Sequence, residues 1–369
     1  MTDQPPVVIR VFGSTDVGRT RDHNEDAFVV AELPSATPLA FPTEQAHAPG
    51  AHGAVLMVAD GMGGAAAGEI ASSMAVDIVL TELRARHSAA PPTDASTFAQ
   101  ALVAATTAAN ERIHRYALDH AEYRGMGTTA TVAGVLGDTL YIAQVGDSRA
   151  YLVRDGKARQ ITKDQSLMQR LIEAGEITAE EAEVSERRNI ILQALGPEAV
   201  IKVDITRQQL RQGDTLVLCS DGLSGLVRDF EIAEAVAAEP DLRALCARLI
   251  ATANSKGGPD NITVVAARFE GAALSIAASD DEVGYQAFPV TEEPPPGAAP
   301  GQPGQPERVI EIAGEPRAAD DAPSRPLSVT TLEIAPRRSA RWRALTPYLL
   351  IAGAAVLTFV IVVYVLSRR

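Results

Sequence analysis

The chain of 369 residues contains little cysteine and few aromatic side chains. Its two cysteines, Cys219 and Cys246, are too few for a disulfide framework or a cysteine-rich zinc site. Both lie in apolar stretches, so we expect small core residues of a protein from a reducing compartment. Aromatic residues make up 4%, but hydrophobic residues make up 46%, which is too apolar for a disordered protein. The composition therefore predicts a folded protein without disulfides.

Basic charge is also scarce. The chain has 33 basic and 47 acidic residues, a net charge of −14. A protein that binds nucleic acid needs a basic face for the phosphate backbone, so this composition argues against nucleic acid as a partner. The six histidines show no spacing typical of a zinc site, and MTDQPPVVIR at the N-terminus lacks the apolar run of a signal peptide.

The C-terminal region contains the one long uncharged run. Tyr348 to Leu366 is 19 residues without a charge, flanked by four arginines before it and two after it. At a helical rise of 1.5 Å per residue it spans roughly 28 Å, close to the ~30 Å hydrocarbon core of a bilayer. We expect a single transmembrane helix over 346–367, and the excess of arginine places its N-terminal side in the cytoplasm.

Residues 271–343 are rich in proline, glycine and acidic side chains, and this predicts a disordered linker. A coil of this length would have an r.m.s. span of roughly 45–50 Å. The alternative is a small folded segment, and the only apolar stretch that could support one is EVGYQAFPV, residues 282–290.

Residues 7–270 are predicted to be the folded unit. Eight short apolar runs bounded by Gly, Asp and Asn read as strands, and Gly-Asp at 137–138 and Asp-Gly at 155–156 suit tight hairpins. Two long helical patterns, 68–87 and 97–120, interrupt the strands. Consecutive hairpins indicate antiparallel sheets, and the inserted helices would cover their outer faces. We therefore expect an α+β fold, a four-layer αββα sandwich of two antiparallel sheets flanked by helices.

Five aspartates share one placement at the edge of an apolar strand. They are Asp26, Asp60, Asp147, Asp221 and Asp260. A single one is typical of an ordinary turn, but five in one domain suggest a common site. An oxygen-rich acidic site selects hard cations such as Mg²⁺ or Mn²⁺. Two such ions bridged by a carboxylate are suited to hydrolysis at a phosphoryl group.

Arg21 lies five residues before Asp26 in RDHNED. Its planar guanidinium could bind a phosphate through two parallel hydrogen bonds. The alternative is a solvated surface charge.

An ordered set of motifs in the folded unit resembles those of a known protein family. RDHNEDAF, VADGMGGAAAGE, GTTATV, QVGDSRAYL, ITKDQSL, NIILQALG, LVLCSDGLSGL and GGPDNITVV, in this order, resemble the bacterial form of the metal-dependent Ser/Thr protein phosphatases of type 2C. The resemblance covers about residues 10 to 269. It implies the αββα sandwich and hydrolysis of phosphoserine and phosphothreonine in proteins with two Mn²⁺ or Mg²⁺ ions.

The resemblance also implies roles for individual residues. Asp60 would bridge both metals, Gly61 would lend its backbone carbonyl, and Asp221 and Asp260 would ligate the same pair. A hydroxide bridging the metals would attack phosphorus, and Arg21 would bind the phosphate. Arg21, Asp60 and Asp221 are thus the expected catalytic residues.

Further roles follow from the same resemblance. Glu25 and Asp26 would meet the second metal largely through water, since adjacent strand residues point to opposite faces. Asp147 would ligate a third, weaker metal. The segment from Gln165 to about Arg188, which we call the flap, would lie beside the site. Met62 stands where animal members carry a histidine, so the general acid is not identified.

We expect phosphorylated Ser/Thr proteins as partners, and a membrane-bound Ser/Thr kinase as a further one. The anchor and the bacterial motifs predict a single-pass protein of the inner membrane, with its catalytic domain in the cytoplasm. Two alternatives stay open: a non-catalytic, membrane-tethered relative that binds phosphoproteins, and a phosphoesterase for small molecules.

Overall fold

The computed structural model describes residues 7–33, 37–38, 45–47, 53–63, 67–92, 94–278 and 281–290. The strands of this part are β1 Val8–Asp16, β2 Asp26–Glu32, β3 Thr37–Pro38, β4 Gln45–His47, β5 Ala54–Met62, β6 Gly127–Thr128, β7 Ala130–Leu136, β8 Thr139–Val145, β9 Arg149–Arg154, β10 Lys157–Gln160, β11 Asp204–Gln209, β12 Thr215–Cys219 and β13 Ile262–Glu270. The α-helices are α1 Ala67–Ala89, α2 Ala95–Asp119, α3 Leu167–Glu173, α4 Ala179–Glu183, α5 Asp221–Ser224, α6 Asp229–Ala238 and α7 Leu242–Ser255.

The strands form two antiparallel sheets. One has six strands in the order β10-β9-β12-β13-β1-β4. The other has seven, in the order β11-β8-β7-β5-β2-β3, with β6 paired to the end of β5. Neighbouring strands run antiparallel in both, as the hairpin signals predict.

The side-chain pattern of β5 explains how the layers pack. Leu56 and Val58 lie in the core between the two sheets, which also contains Phe269 of the opposite sheet. Val55 and Met57 face the other way, into the core that α1 and α2 cover. Successive strand residues point to opposite faces, so a strand buried on both sides is apolar throughout.

A third core lies between the six-stranded sheet and helices α6 and α7. Val217 and Val264 of the sheet share it with Leu245 and Leu249 of α7. The order of layers is therefore helix, sheet, sheet, helix, and the predicted αββα sandwich is confirmed.

The two predicted hairpin turns are also confirmed. Gly137 has φ +60°, and Asp155 and Gly156 have φ +50° and +70°. Positive φ at both central residues, as in Asp155-Gly156, is the requirement of a type I′ hairpin turn, and glycine with positive φ at the first central residue, as in Gly137-Asp138, suits a type II′ turn.

Both cysteines are buried and free of disulfides, as expected. Burial raises the pKa of Cys219 and of Cys246 to about 12. Neither is therefore a reactive thiolate.

Residues 281–290, which we call the strap, pack back onto the edge strand β11. The Phe288 amide donates to the Ile205 carbonyl at 2.8 Å, and the Arg207 amide donates to the Gln286 carbonyl at 2.9 Å. Phe288 and Val290 also pack against the core under α1 and α2. Residues 281–290 were predicted to belong to the disordered linker 271–343, but they pack on the domain, because this stretch supplies apolar side chains and satisfies an open sheet edge.

The rest of the predicted linker and the predicted transmembrane helix 346–367 lie outside the described residues. Within the described ranges, no helix has both the length and the apolar character needed to cross a bilayer.

Candidate metal centre

Two of the predicted site residues face each other where β2 begins and β5 nears its end. Asp26 and Asp60 are register partners across this antiparallel pair. The Asp60 amide donates to the Thr129 hydroxyl at 2.9 Å, and the Thr128 hydroxyl donates to the Asp60 carbonyl at 2.9 Å. The amide and the carbonyl of Asp60 are thus both held by the short segment at the junction of β6 and β7.

The opposite sheet contributes two further carboxylates. Asp221 opens helix α5 just after β12, and Asp260 lies two residues before β13. Arg21, in the loop between β1 and β2, donates from Nη2 to Asp260 Oδ2 at 2.8 Å. Both sheets therefore contribute acidic side chains to the same end of the sandwich.

The carboxylates share one electrostatic environment. Burial raises the pKa of Asp60 well above its ordinary value. Four further carboxylates add to this rise through their charge: Asp26, Asp221, Asp147 and Asp260. Burial and the charge of Asp260 likewise raise the pKa of Asp221. These five aspartates, which we call the acidic cluster, are the set predicted from the sequence.

Asp147 is the member of the cluster with a buried carboxylate oxygen that has no hydrogen-bond partner. It follows Gly146, whose φ of +100° turns the chain sharply after β8. Asp147 is 7% exposed, and its Oδ1 atom has no hydrogen-bond partner. Burial raises its pKa to about 7. An unpaired buried carboxylate oxygen is costly unless it is protonated or binds a cation.

Glu25 and Asp26 point in different directions, as adjacent residues at a strand start should. Asp26 Oδ2 accepts hydrogen bonds from Ser220 Oγ at 2.8 Å and from Thr263 Oγ1 at 2.6 Å. Burial nevertheless raises the pKa of Asp26 to about 7. Glu25 is buried, and its carboxylate lies 3.3 Å from Nε2 of His23.

Gly61 lies where three backbone segments meet. A Cβ atom at this residue would come within 2.3 Å of the Gly68 carbonyl oxygen and 2.4 Å of the Glu25 carbonyl oxygen. Only glycine permits this close approach of the α1 N-terminus to the end of β5. The peptide of Gly61, which directly follows Asp60, is therefore packed tightly between these two segments.

These residues fit divalent cations. Carboxylates crowded in a buried site must take up protons or bind positive ions, and Asp147 Oδ1 still lacks a partner. Among the described residues, no three His, Cys, Asp or Glu side chains already form a cage around one ion. A pair of hard cations does not need such a cage, since Mg²⁺ keeps several waters and accepts backbone carbonyl ligands as well.

Three polar residues of the site were not singled out from the sequence, although they lie within the quoted motifs. Asn261 accepts from the Glu25 amide at 2.8 Å and donates to the carbonyls of Val17 and His23 at 3.0 Å. It therefore holds the loop that carries Arg21. Ser220 and Thr263 are the other two: Ser220 directly precedes Asp221, and Thr263 lies three residues after Asp260.

The flap begins beside Asp147. The Gln165 amide donates to the Gly146 carbonyl, and the Gly146 amide donates to Gln165 Oε1, both at 2.9 Å. Leu192, on the returning segment, donates its amide to the Gln165 carbonyl at 2.8 Å. The segment that follows the flap thus returns to Gln165, next to the acidic cluster.

The fold and the cluster together define a carboxylate-rich metal-binding protein built on two packed antiparallel sheets. Comparison with known sequences narrows this class. Residues 45–264 match the sequence model described as Protein phosphatase 2C. The chain is 37% identical over 251 residues to the serine/threonine phosphatase stp of Listeria innocua, which covers 68% of this chain and 92% of the relative. It is also 37% identical over 261 residues to the serine/threonine protein phosphatase PstP of Mycobacterium tuberculosis, covering 71% of this chain and 45% of the relative.

Solved structures agree with the sequence comparison. The crystal structure of PstP/Ppp from Mycobacterium tuberculosis superimposes with a TM-score of 0.59 at 36% identity, covering 71% of this chain and 99% of that one. A PstP catalytic domain solved in complex with two manganese ions gives a TM-score of 0.57 at 36% identity, with coverages of 72% and 99%. The chain belongs to the protein phosphatase 2C family.

Proposed function

We propose that this chain hydrolyses phosphoserine and phosphothreonine in proteins and uses two Mn²⁺ or Mg²⁺ ions. Family membership supports the reaction, because the relatives from Listeria innocua and Mycobacterium tuberculosis are named serine/threonine phosphatases. The two manganese ions of the PstP catalytic domain support the cofactor. The observation in this chain that carries the proposal is the acidic cluster with the unpartnered oxygen of Asp147.

We assign the metal ligands within this cluster. Asp60 is the carboxylate shared by both ions, Gly61 offers its carbonyl, and Asp221 and Asp260 complete the protein ligands of the pair. When bound, the ions lower the pKa of water and offset negative charge on the phosphoryl oxygens. The sheets that meet at Asp60 hold these groups on rigid strand ends, which favours a fixed geometry.

Three acidic residues have secondary roles in this assignment. Glu25 and Asp26 contact the metal pair through water, and Asp26 is oriented by the hydroxyls of Ser220 and Thr263. Asp147 binds a third, weaker ion together with Asp221. The unpartnered Oδ1 of Asp147 supports this role.

Arg21 binds the phosphoryl group of the substrate. One of its nitrogens, Nη2, donates to Asp260, and 47% of its side chain is exposed. The guanidinium fork has further N–H groups for two phosphoryl oxygens. Met62 carries no titratable group, so the proton of the leaving alkoxide comes from another source.

The C-terminal run supports a further proposal about location. Residues 346–367 anchor the protein in the inner membrane as one helix, with the catalytic domain in the cytoplasm and near a membrane-bound Ser/Thr kinase whose products it hydrolyses. The uncharged length and the flanking arginines support the anchor and its orientation. Deleting residues 346–367 should move the protein from the membrane pellet to the soluble fraction. Retention of the deleted form in the pellet would contradict the anchor.

The activity is tested by phosphate release from a phosphothreonine peptide by the full-length chain, with Mn²⁺ and with EDTA, alongside Asp221→Asn. We expect release that requires metal and is lost in the variant. Release from nucleotides but not from peptides would favour a small-molecule phosphoesterase. Phosphopeptide binding without release, in folded and metal-loaded protein, would favour a non-catalytic binding relative.

A further inference from the structure

The strap is attached to β11 along its length. Besides the backbone pairs described above, Gln208 donates its side-chain amide to the Gly284 carbonyl. Arg211 forms two hydrogen bonds to Asp281, at 2.6 and 2.8 Å, and both side chains are at most 20% exposed. A two-pronged guanidinium–carboxylate pair of this kind fixes direction as well as distance. The strap therefore has a defined position on the domain.

One side chain of the strap is linked to the flap through Lys163. Lys163 Nζ lies 4.5 Å from the centre of the Tyr285 ring, in cation–π geometry. The same ammonium lies 3.1 Å from Oε1 of Glu173, at the end of flap helix α3. Lys163 is two residues before Gln165, where the flap begins. Tyr285, Lys163 and Glu173 thus form a chain of contacts from the strap into the flap.

A second path runs through the first residue of β11. Gln165 Nε2 donates to Asp204 Oδ2 at 3.1 Å, and Gln193 Nε2 donates to Gln165 Oε1 at 2.8 Å. Ile205, which follows Asp204 in β11, accepts a backbone hydrogen bond from the Phe288 amide of the strap. The strand that the strap pairs with is therefore also the strand that holds the first residue of the flap.

We propose that the strap positions the flap, with Tyr285 as the positioning residue that acts through Lys163. Tyr285 does not contact the acidic cluster. It restrains the start of the flap, and the flap start is bonded to the Gly146–Asp147 turn. Loss of the ring would leave the centre folded and let the flap open more often. Displacement of the strap from β11 would have the same effect.

Limited proteolysis of the full-length protein tests this directly. Arg187 and Arg188 are exposed in the flap, so trypsin can report its opening. Tyr285→Ala should speed cleavage after these arginines about two- to fivefold, the change that one exposed cation–π contact supports. Tyr285→Phe keeps the ring and should cleave at the wild-type rate. Phe230→Ala removes an exposed aromatic ring on α6 and is the matched control.

A kinetic measurement adds a second readout, and it alone rests on the proposed function. In Tyr285→Ala, KM for a phosphothreonine peptide should rise about two- to fivefold, while turnover of p-nitrophenyl phosphate stays unchanged. Failure to hydrolyse either substrate would count against the proposed function and leave the proteolysis result standing.

Three results would overturn the inference. One is wild-type flap cleavage in a folded Tyr285→Ala protein. Another is equal acceleration in Tyr285→Phe and Tyr285→Ala. The third is faster cleavage at all sites together with a lower Tm, which would make the strap a structural element only. Selective cleavage after Arg187 or Arg188, identified by fragment mass, supports it.

Discussion

Asp26 and Asp60 are direct register partners across β2 and β5, so two carboxylates face each other at the heart of the candidate site. Like charges placed directly opposite on a sheet destabilise it. The hydroxyls of Ser220 and Thr263, from the opposite sheet, bond to Asp26 and offset part of this cost. The remaining repulsion must be offset by bound protons or cations. We therefore expect the stability of the centre, as well as its activity, to depend on metal.

Asp60→Asn should separate these two effects. The neutral amide removes repulsion within the acidic cluster, so the metal-free variant should unfold a few degrees higher, about 2–4 °C for each kcal/mol gained. Phosphatase activity should fall by more than about 100-fold, beyond the loss typical of residues that only support a metal ligand. Thermal unfolding in EDTA and phosphate release with Mn²⁺ measure both. Asp138→Asn, at an exposed turn, is the matched control. Full metal-dependent turnover by Asp60→Asn would refute the assignment of Asp60.

The pH dependence of stability should have a defined sign in the metal-free protein. Burial raises the pKa of Asp26 and of Asp147 to about 7, against roughly 4 in an unfolded chain. Such groups stabilise the fold below pH ~4, and this contribution is lost as the pH rises through about 7. In EDTA the free energy of unfolding should therefore decrease between about pH 5 and 8, as measured by urea unfolding. Saturating Mn²⁺ should reduce this decrease. A metal-free stability that increases over the same range would contradict the prediction.

The buried pair of Arg154 and Asp214 should matter for stability but not for chemistry. Arg154 donates from Nε and Nη2 to the two carboxylate oxygens at 2.8 and 2.6 Å, and both side chains are at most 7% exposed. Arg154→Met leaves Asp214 charged and buried, which should cost about 3–5 kcal/mol in urea unfolding. Arg154→Met with Asp214→Leu should recover part of this. Arg248→Met, at a more exposed ion pair, should cost less than about 1 kcal/mol. A single variant as stable as the wild type would contradict the buried geometry.

Gly61→Ala should weaken metal binding through the backbone alone. The new Cβ would overlap the carbonyl oxygens of Gly68 and Glu25, so the chain beside Asp60 must shift. We expect a loss of about 1–3 kcal/mol in stability and weaker Mn²⁺ binding by calorimetry. Gly284→Ala is the control, because a Cβ there meets nothing within 4 Å. Unchanged Mn²⁺ affinity in Gly61→Ala would count against the carbonyl of Gly61 as a ligand.

Much of the architecture follows from local signals. The apolar runs with turn residues between them predicted the antiparallel sheets, and Asp155-Gly156 adopts the left-handed conformations its hairpin requires. The ordered motifs predicted the family, which the comparisons confirm. The metal-ligand roles and the membrane helix remain predictions.

Other features depended on contacts that no local pattern encodes. Residues 282–290 are the only apolar stretch of the predicted linker, but nothing local shows that they pair with β11 some 80 positions earlier. The hydrogen bond from the Glu25 amide to Asn261, 236 positions away, is likewise not encoded by any local pattern.

The sequence by itself determined which residues are acidic, where strands end and which family the chain joins, because these depend on residue type and short spacing. Only the tertiary structure decided that Asp26 opposes Asp60, that Ser220 and Thr263 bond to Asp26, and that the strap is linked to the flap through Lys163. These relations join residues distant in the chain. They are set by strand register and by the packing of two sheets, which emerge only when the whole core is buried at once.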